Sequence, residues 1–129
     1  MKERIKLLSI NYKKMKPTEI SAQTELIEEY APDMYDSIFA VGAEEGIKKV
    51  VDFRPEIIFL NEKIKDTLGL LKKIKQMHPP AVVFIFLSVV DDEQEAIDEY
   101  IASGACKCYV PPIIMDTLIH DMYVALNLE

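Results

Sequence analysis

A chain of 129 residues is the size of one typical domain, and with 50% hydrophobic and 29% charged residues it can build a core, which excludes a chain disordered throughout. Its 22 acidic and 15 basic residues leave a net charge of −7, a sign that repels phosphate backbones and anionic lipid headgroups, so no nucleic acid and no membrane surface is expected as a partner. The longest apolar run, Ala81 to Val90, is about half of what a bilayer span needs.

Residues 1–129 are therefore expected to form a single domain. In chain order, the basic start MKERIKLLSINYKK has no sustained apolar stretch and no small-residue cleavage site; no secretory signal is expected, and the default compartment is the cytoplasm. Ile5 to Ile10 predicts a first strand, and Pro17 stands where a helix over Thr18 to Tyr30 would begin. Ser37 to Val41 predicts the second strand and Glu44 to Phe53 the second helix, closed by Pro55. Glu56 to Leu60 predicts the third strand, and Leu68 to Met77 a helix that Pro79-Pro80 follows. Val82 to Leu87, Glu93 to Ser103, Lys107 to Val110 and Ile114 to Leu126 complete the alternation of strand and helix. Most of the strands are rich in Ile, Val, Leu and Phe, the composition of strands buried on both faces.

Strands that alternate with helices of crossover length imply right-handed βαβ units. The expectation is α/β: a five-stranded parallel sheet, doubly wound as a (βα)5 three-layer sandwich. In such sheets ligands sit beyond the carboxyl ends of the strands at a topological switch point, which directs attention to Asn11, Asn61 and Ser88. The four glycines are too scattered for a phosphate-cradling loop, and no nucleotide cofactor is expected. Cys106 and Cys108 supply half of the four ligands of a closed zinc site, and His78 and His120 lie in other segments, so free thiols and no metal are expected. His78, ahead of two prolines, is expected in a solvated loop, and His120 on a helix surface. Asp91, Asp92, Glu93 and Glu95 suit the first turn of a helix, whose dipole they complement.

The segment PEIIFLN at 55–61 resembles the "PDLVLLD" strand that carries the phosphoacceptor of response-regulator receiver domains. GLLKKIK at 69–75 resembles the glycine and amphipathic helix that follow it, and VVFIFLS at 82–88 the fourth strand ending in Ser or Thr. GACKCYVPP at 104–112 is similar to the "GA…Y-x-KP" segment, and EEGIKKVVDFRP at 44–55 to the second helix. The resemblance covers nearly the whole chain and implies a CheY-like fold in two-component signal transduction.

The same resemblance implies that most of the family's chemical groups are replaced. The acceptor aspartate falls on Asn61, and the acidic pair that holds Mg²⁺ falls on Ile10-Asn11 or Asn11-Tyr12, according to register. The lysine falls on Pro111, and Ser88 is the retained switch position. Mg²⁺ prefers carboxylate oxygens, and phosphoryl transfer depends on positioned charge. The expectation is a pseudo-receiver: no aspartyl phosphorylation, no catalytic turnover, no cofactor, and a role as a protein-interaction module within a signalling pathway. The alternative is a phosphorylation-independent sensor that binds a small molecule in the crevice at Asn11, Asn61 and Ser88.

Ile114, Leu118, Met122, Ala125 and Leu126 form the inward stripe expected of the last helix. Ile97, Tyr100 and Ile101 on the fourth predicted helix, with Ile119 and Tyr123 on the last, extend the apolar surface beyond one face. These five are the expected interaction surface, for a protein partner or for a homodimer through the fourth helix, fifth strand and last helix.

Overall fold

Five strands form one parallel sheet: β1 (Ile5–Asn11), β2 (Tyr35–Val41), β3 (Ile57–Asn61), β4 (Val82–Phe86) and β5 (Lys107–Tyr109), in the order β2-β1-β3-β4-β5. The computed structural model describes residues 4–13, 35–87, 94–110 and 114–126. Helices α1 (Gly42–Phe53), α2 (Thr67–Met77), α3 (Gln94–Ala102) and α4 (Met115–Ala125) lie on both faces, so the expected doubly wound sandwich is what the chain adopts. The predicted helix over Thr18 to Tyr30 falls outside the described residues.

Side chains alternate across the sheet, and each face collects its own core. On one face Leu8, Ile10, Ile58, Leu60, Val83 and Ile85 meet Val50 of α1, Leu70, Leu71 and Ile74 of α2, and Tyr100 of α3. On the other, Leu7, Ile57, Phe59, Phe84, Phe86 and Tyr109 meet Leu118 and Met122 of α4. Burial on both faces holds for β1, β3 and β4 but not for β2 and β5, where Asp36, Phe39, Val41 and Lys107 are exposed. The reason is position: these are the edge strands, with a neighbour on one side only. Pairing of Ile5 with Tyr35 also carries β2 two residues further back than the apolar run suggested.

Helix α1 lies close to the sheet because of Gly46, where an added Cβ would come within 2.6 Å of Ile10 Cδ1. Its first turn is closed by the Glu45 carboxylate, which accepts the Val41 N–H. At the other end Arg54, in the left-handed region at φ 53°, donates its N–H to Val50 O before Pro55 turns the chain into β3. His78 departs from expectation. Its ring is buried, and Nε2–H donates to Pro55 O at 2.8 Å, tying the end of α2 to the corner before β3. The carbonyl at that corner needs a donor, and the turn before Pro79-Pro80 folds the imidazole inward to supply it.

Candidate functional site at the strand ends

β1 leads outward to β2 on one side, whereas β3 leads to β4 and β5 on the other, so the topological switch point lies between β1 and β3. The last paired residues of these strands are Ile10 and Leu60. One position further, Asn11 and Asn61 stand abreast. Register thus separates the three candidates on β1. Ile10 belongs to the core beneath Gly46 and does not reach the crevice, a correction to its assignment as a pocket position. Asn11 is 5% exposed at the strand end, and Tyr12, 36% exposed, stands at the mouth. Ser88 and Pro111 fall outside the described residues, as do Asp91, Asp92 and Glu93.

Asn61 is engaged by the loop that follows it. Its Oδ1 accepts the Lys63 N–H at 2.9 Å, an Asx turn, and its backbone carbonyl accepts the Ile64 N–H at 3.1 Å. Buried Thr67 donates its hydroxyl to Ile64 O at 2.7 Å, with Glu62 O at 3.0 Å from the same oxygen. Asp66, at φ 56°, accepts the Gly69 N–H at 3.1 Å and caps α2. Gly69 suits this arrangement, because a Cβ there would lie 2.2 Å from Asp66 Oδ2. The loop is therefore closed by its own side chains.

The charges around the crevice are cationic on the β1 side. Lys13 and Lys63 hold their ammonium groups 5.7 and 5.3 Å from the centroid of the Tyr12 ring. A cleft of about 460 Å³ opens there between Tyr12, Lys63, Lys65, Asp66 and the first turn of α1. On the β5 side, burial, reinforced by the charge of Glu62, pushes the Cys108 thiol up to about 11. Burial likewise raises the Cys106 thiol, and neither is a ready thiolate. Among the described residues no group of three or more His, Cys, Asp or Glu could hold a metal ion, and no helix is long and apolar enough to cross a membrane.

A second polar centre joins β5 to α4. The Tyr109 hydroxyl donates to Asp121 Oδ2 at 2.6 Å, and Lys107 Nζ donates to the same oxygen at 2.8 Å. Burial alone would raise the Asp121 carboxyl, but the bonds from Lys107 and Tyr109 and the lysine's charge outweigh it and hold the group below the usual carboxylate range. Burial and then the bond to Asp121 push the Tyr109 phenol up, so it stays a donor. Its ring stacks on Phe86 at 5.4 Å, and Phe86 meets Phe59 edge-on at 4.9 Å. Since Phe86 is also the β4 partner of Asn61, this aromatic wall runs from the crevice to α4.

The predicted interaction surface is only partly exposed. Tyr100 is buried in the core under α3, which corrects its assignment; Ile97, Ile119 and Tyr123 are half-buried against the core. Ile101 is 44% exposed. Ile114 is 67% exposed rather than part of the inward stripe, because it precedes the first turn of α4 and escapes its helical phase. Val124, 52% exposed, was not singled out by the sequence, where it sits between inward Met122 and Ala125.

No family model matches the chain, and no curated protein matches it by sequence. Solved structures do. A two-component response regulator from Clostridium difficile superposes with a TM-score of 0.78 at 19% identity over 96% of this chain and 97% of that one. A response regulator from Thermotoga maritima gives 0.79 at 16% identity, over 97% and 99% of the two chains. NtrX from Brucella abortus gives 0.79 at 20% identity over 98% of this chain but 27% of its own, so there the same fold is one part of a longer protein. The doubly wound sheet is thus a receiver fold. It is the CheY-like fold of response-regulator receiver domains in two-component signalling.

Mg²⁺, the ion that the receiver resemblance implies at the strand ends, does not fit the described residues. Asn11 and Asn61 offer neutral amides, the Asn61 oxygen is committed to Lys63 N, and two ammonium groups gather at Tyr12. A hard dication prefers carboxylate oxygen and is repelled by neighbouring ammonium.

Proposed function

We propose that this chain is a receiver-fold module that works without aspartyl phosphorylation and without catalytic turnover, as a protein-interaction module in cytoplasmic signalling. The observation that carries the reading is the amide pair Asn11 and Asn61 abreast at the β1–β3 switch point. An amide nitrogen is a poor nucleophile, and Asn61 already serves as the cap of its own loop. At Asn11 and Asn61 the crevice presents neutral amides where phosphoryl transfer needs carboxylates to hold its cation. The partner is proposed to be a protein, or a second copy of the chain, meeting the α3, β5 and α4 face through Ile101, Ile114 and Val124. The net charge of −7 disfavours nucleic acid and anionic membranes.

The test is intact-mass spectrometry after incubation with acetyl phosphate and Mg²⁺, on the native chain and on Asn61→Asp. Neither is expected to gain a phosphoryl group, because the single change restores a nucleophile but no cation site. A stoichiometric adduct on the native chain overturns the reading; one on Asn61→Asp alone overturns its account of the missing charges.

A further inference from the structure

The two edges of the sheet are not protected alike. β5 is three residues long and opens on Lys107, and a short strand with a lysine discourages pairing by another chain. β2 runs for seven residues, YDSIFAV, without lysine, proline or a bulge, and its one charge, Asp36, is held by Arg4 at 3.5 Å. The direction of its backbone groups follows from the register. Lys6 O accepts the Glu56 N–H, so Lys6 faces β3, and its neighbours Leu7 and Ser9 face β2. Residues at one level of a parallel ladder alternate in direction, so Asp36, Ile38 and Ala40 face β1, while Ser37 and Phe39 turn their N–H and C=O groups outward. Val41 keeps the same phase, and its N–H is taken by Glu45. Among the described residues the outward groups of Ser37 and Phe39 have no partner, and the buried Ser37 hydroxyl has none either. Phe39 and Val41 are each 41% exposed.

We infer that the β2 edge is a docking site for an extended segment of a protein partner, added as a further strand, with an acidic side chain at its centre directed at Lys48 and Lys49 of α1. This surface lies on the opposite edge from the α3, β5 and α4 face and does not depend on it. A cleft of about 670 Å³ lies between β2 and α1, with Ile38, Val41 and Phe53 as its apolar lining. Lys48 and Lys49 stand at its middle, with Glu44 and Asp52 about one helical turn to either side. Glu45 is engaged by Val41, and neither lysine is ion-paired among the described residues. The same charges disfavour a second copy. At about 3.3 Å per strand residue and about 1.5 Å per helix residue, Ile38 in the middle of β2 lies level with Lys48 and Lys49. A two-fold axis there would set lysine against lysine and Glu44 against Asp52. A single strand with a central carboxylate meets the lysines without that repulsion, and a hydroxyl on its other face would reach Ser37 as cross-strand pairs do. Main-chain bonds to the edge supply affinity, and the cleft supplies the choice of side chain.

The probe is a blocked seven-residue peptide, the length of β2, that alternates threonine with valine and carries one glutamate at its centre, titrated against two-dimensional amide spectra of the full chain. Saturating shifts are expected along β2 and α1, with amide hydrogen exchange at Ser37 and Phe39 slowed about tenfold or more at saturation. The same peptide with a central lysine is expected to bind about tenfold more weakly, and Lys48→Gln, at an exposed position, to remove most of that difference. A peptide methylated on alternate backbone nitrogens, which cannot donate to the edge, is expected not to bind, and this comparison holds even if Lys48→Gln fails to fold. Shifts that never saturate, or that lie away from β2 and α1, overturn the inference, as does equal binding of the methylated or the lysine peptide. Slow exchange at Ser37 and Phe39 without peptide overturns it too: together with a dimer that dissociates on dilution it assigns the edge to a second copy, and in a monomer it shows the edge already covered by the chain itself.

Discussion

The two ends of the aromatic wall are held in different ways. At the β1–β3 end the contacts are local and go to backbone groups: Asn61 binds a residue two positions on, Thr67 one three positions back, and Asp66 one three positions on. At the β5–α4 end Asp121 collects two bonds, from Lys107 fourteen residues away and Tyr109 twelve residues away, with full charge on one partner. The local bonds set the shape of a loop, while the charged centre fixes a helix to the sheet. Among the described residues one ion pair, Lys107 with Asp121, lies at the β5–α4 end and the other, Arg4 with Asp36, at the start of β1 and β2, so neither spans the crevice.

The largest expected effect comes from removing what the two ends share. Phe86 is buried, touches Phe59 and Tyr109, and pairs with Asn61 along the ladder; its carbonyl also accepts the Glu62 N–H. Phe86→Ala is expected to destabilise the chain by about 3–5 kcal/mol, through lost burial and the cavity left behind. Denaturant unfolding measures it. A loss below about 1 kcal/mol, smaller than large-to-small core changes give, would mean that the wall does not join the two ends.

The strands and helices were readable because central parallel strands must be continuous apolar runs, and the prolines marked the ends of helices. Edge strands were harder, since β2 carries Asp36 and Ser37 within its pairing and shows its extent only through the partner Ile5. At the site, Asn61 and Asn11 were found from strand order alone, while the exclusion of Ile10 needed the register with Leu60 and the approach of Gly46. Tyr100 was misplaced for a related reason: α3 is short and its apolar residues span more than one face, so periodicity did not say which would turn inward. The Tyr109–Asp121–Lys107 centre had no signal in the sequence, because a contact across twelve or more residues leaves no periodic trace. The lysines around Tyr12 were equally invisible until the β3–α2 loop was seen to fold back beside β1.

Breaking the charged end is the intermediate case. Asp121→Asn keeps the shape but removes the charge that Lys107 and Tyr109 address, and a loss of about 1–2 kcal/mol is expected, bonds to charged groups being worth more than neutral ones. Its pH dependence has a definite sign. The folded carboxyl titrates below its ordinary 3.8, so its contribution is complete above that value and is lost as pH falls through the lower folded value. Acid unfolding curves of the native chain should therefore steepen below about pH 4, and Asp121→Asn should flatten that segment. Identical acid limbs in the two proteins would show that Asp121 is not held by this network.

The smallest effect belongs to the local end. Asn61→Ala removes one side-chain bond to Lys63 N in a loop still closed by Ile64 N, Thr67 and Asp66. The expected loss is about 0.5–1 kcal/mol, the range of a single neutral capping bond. Asn61→Asp should lose less, because a carboxylate accepts the same N–H. Combined with Asp121→Asn, the Asn61→Ala loss should add within about 0.5 kcal/mol, since the two sites share no hydrogen-bond partner. The aromatic wall is the one route by which they could couple. If the double variant departs from additivity, and the departure vanishes in a Phe86→Leu background, then stacking transmits strain from the crevice to α4, and a change at Asn61 would be felt on the face proposed for the protein partner. Additivity in both backgrounds would instead make the crevice and that face independent, and binding in one would leave the other unchanged.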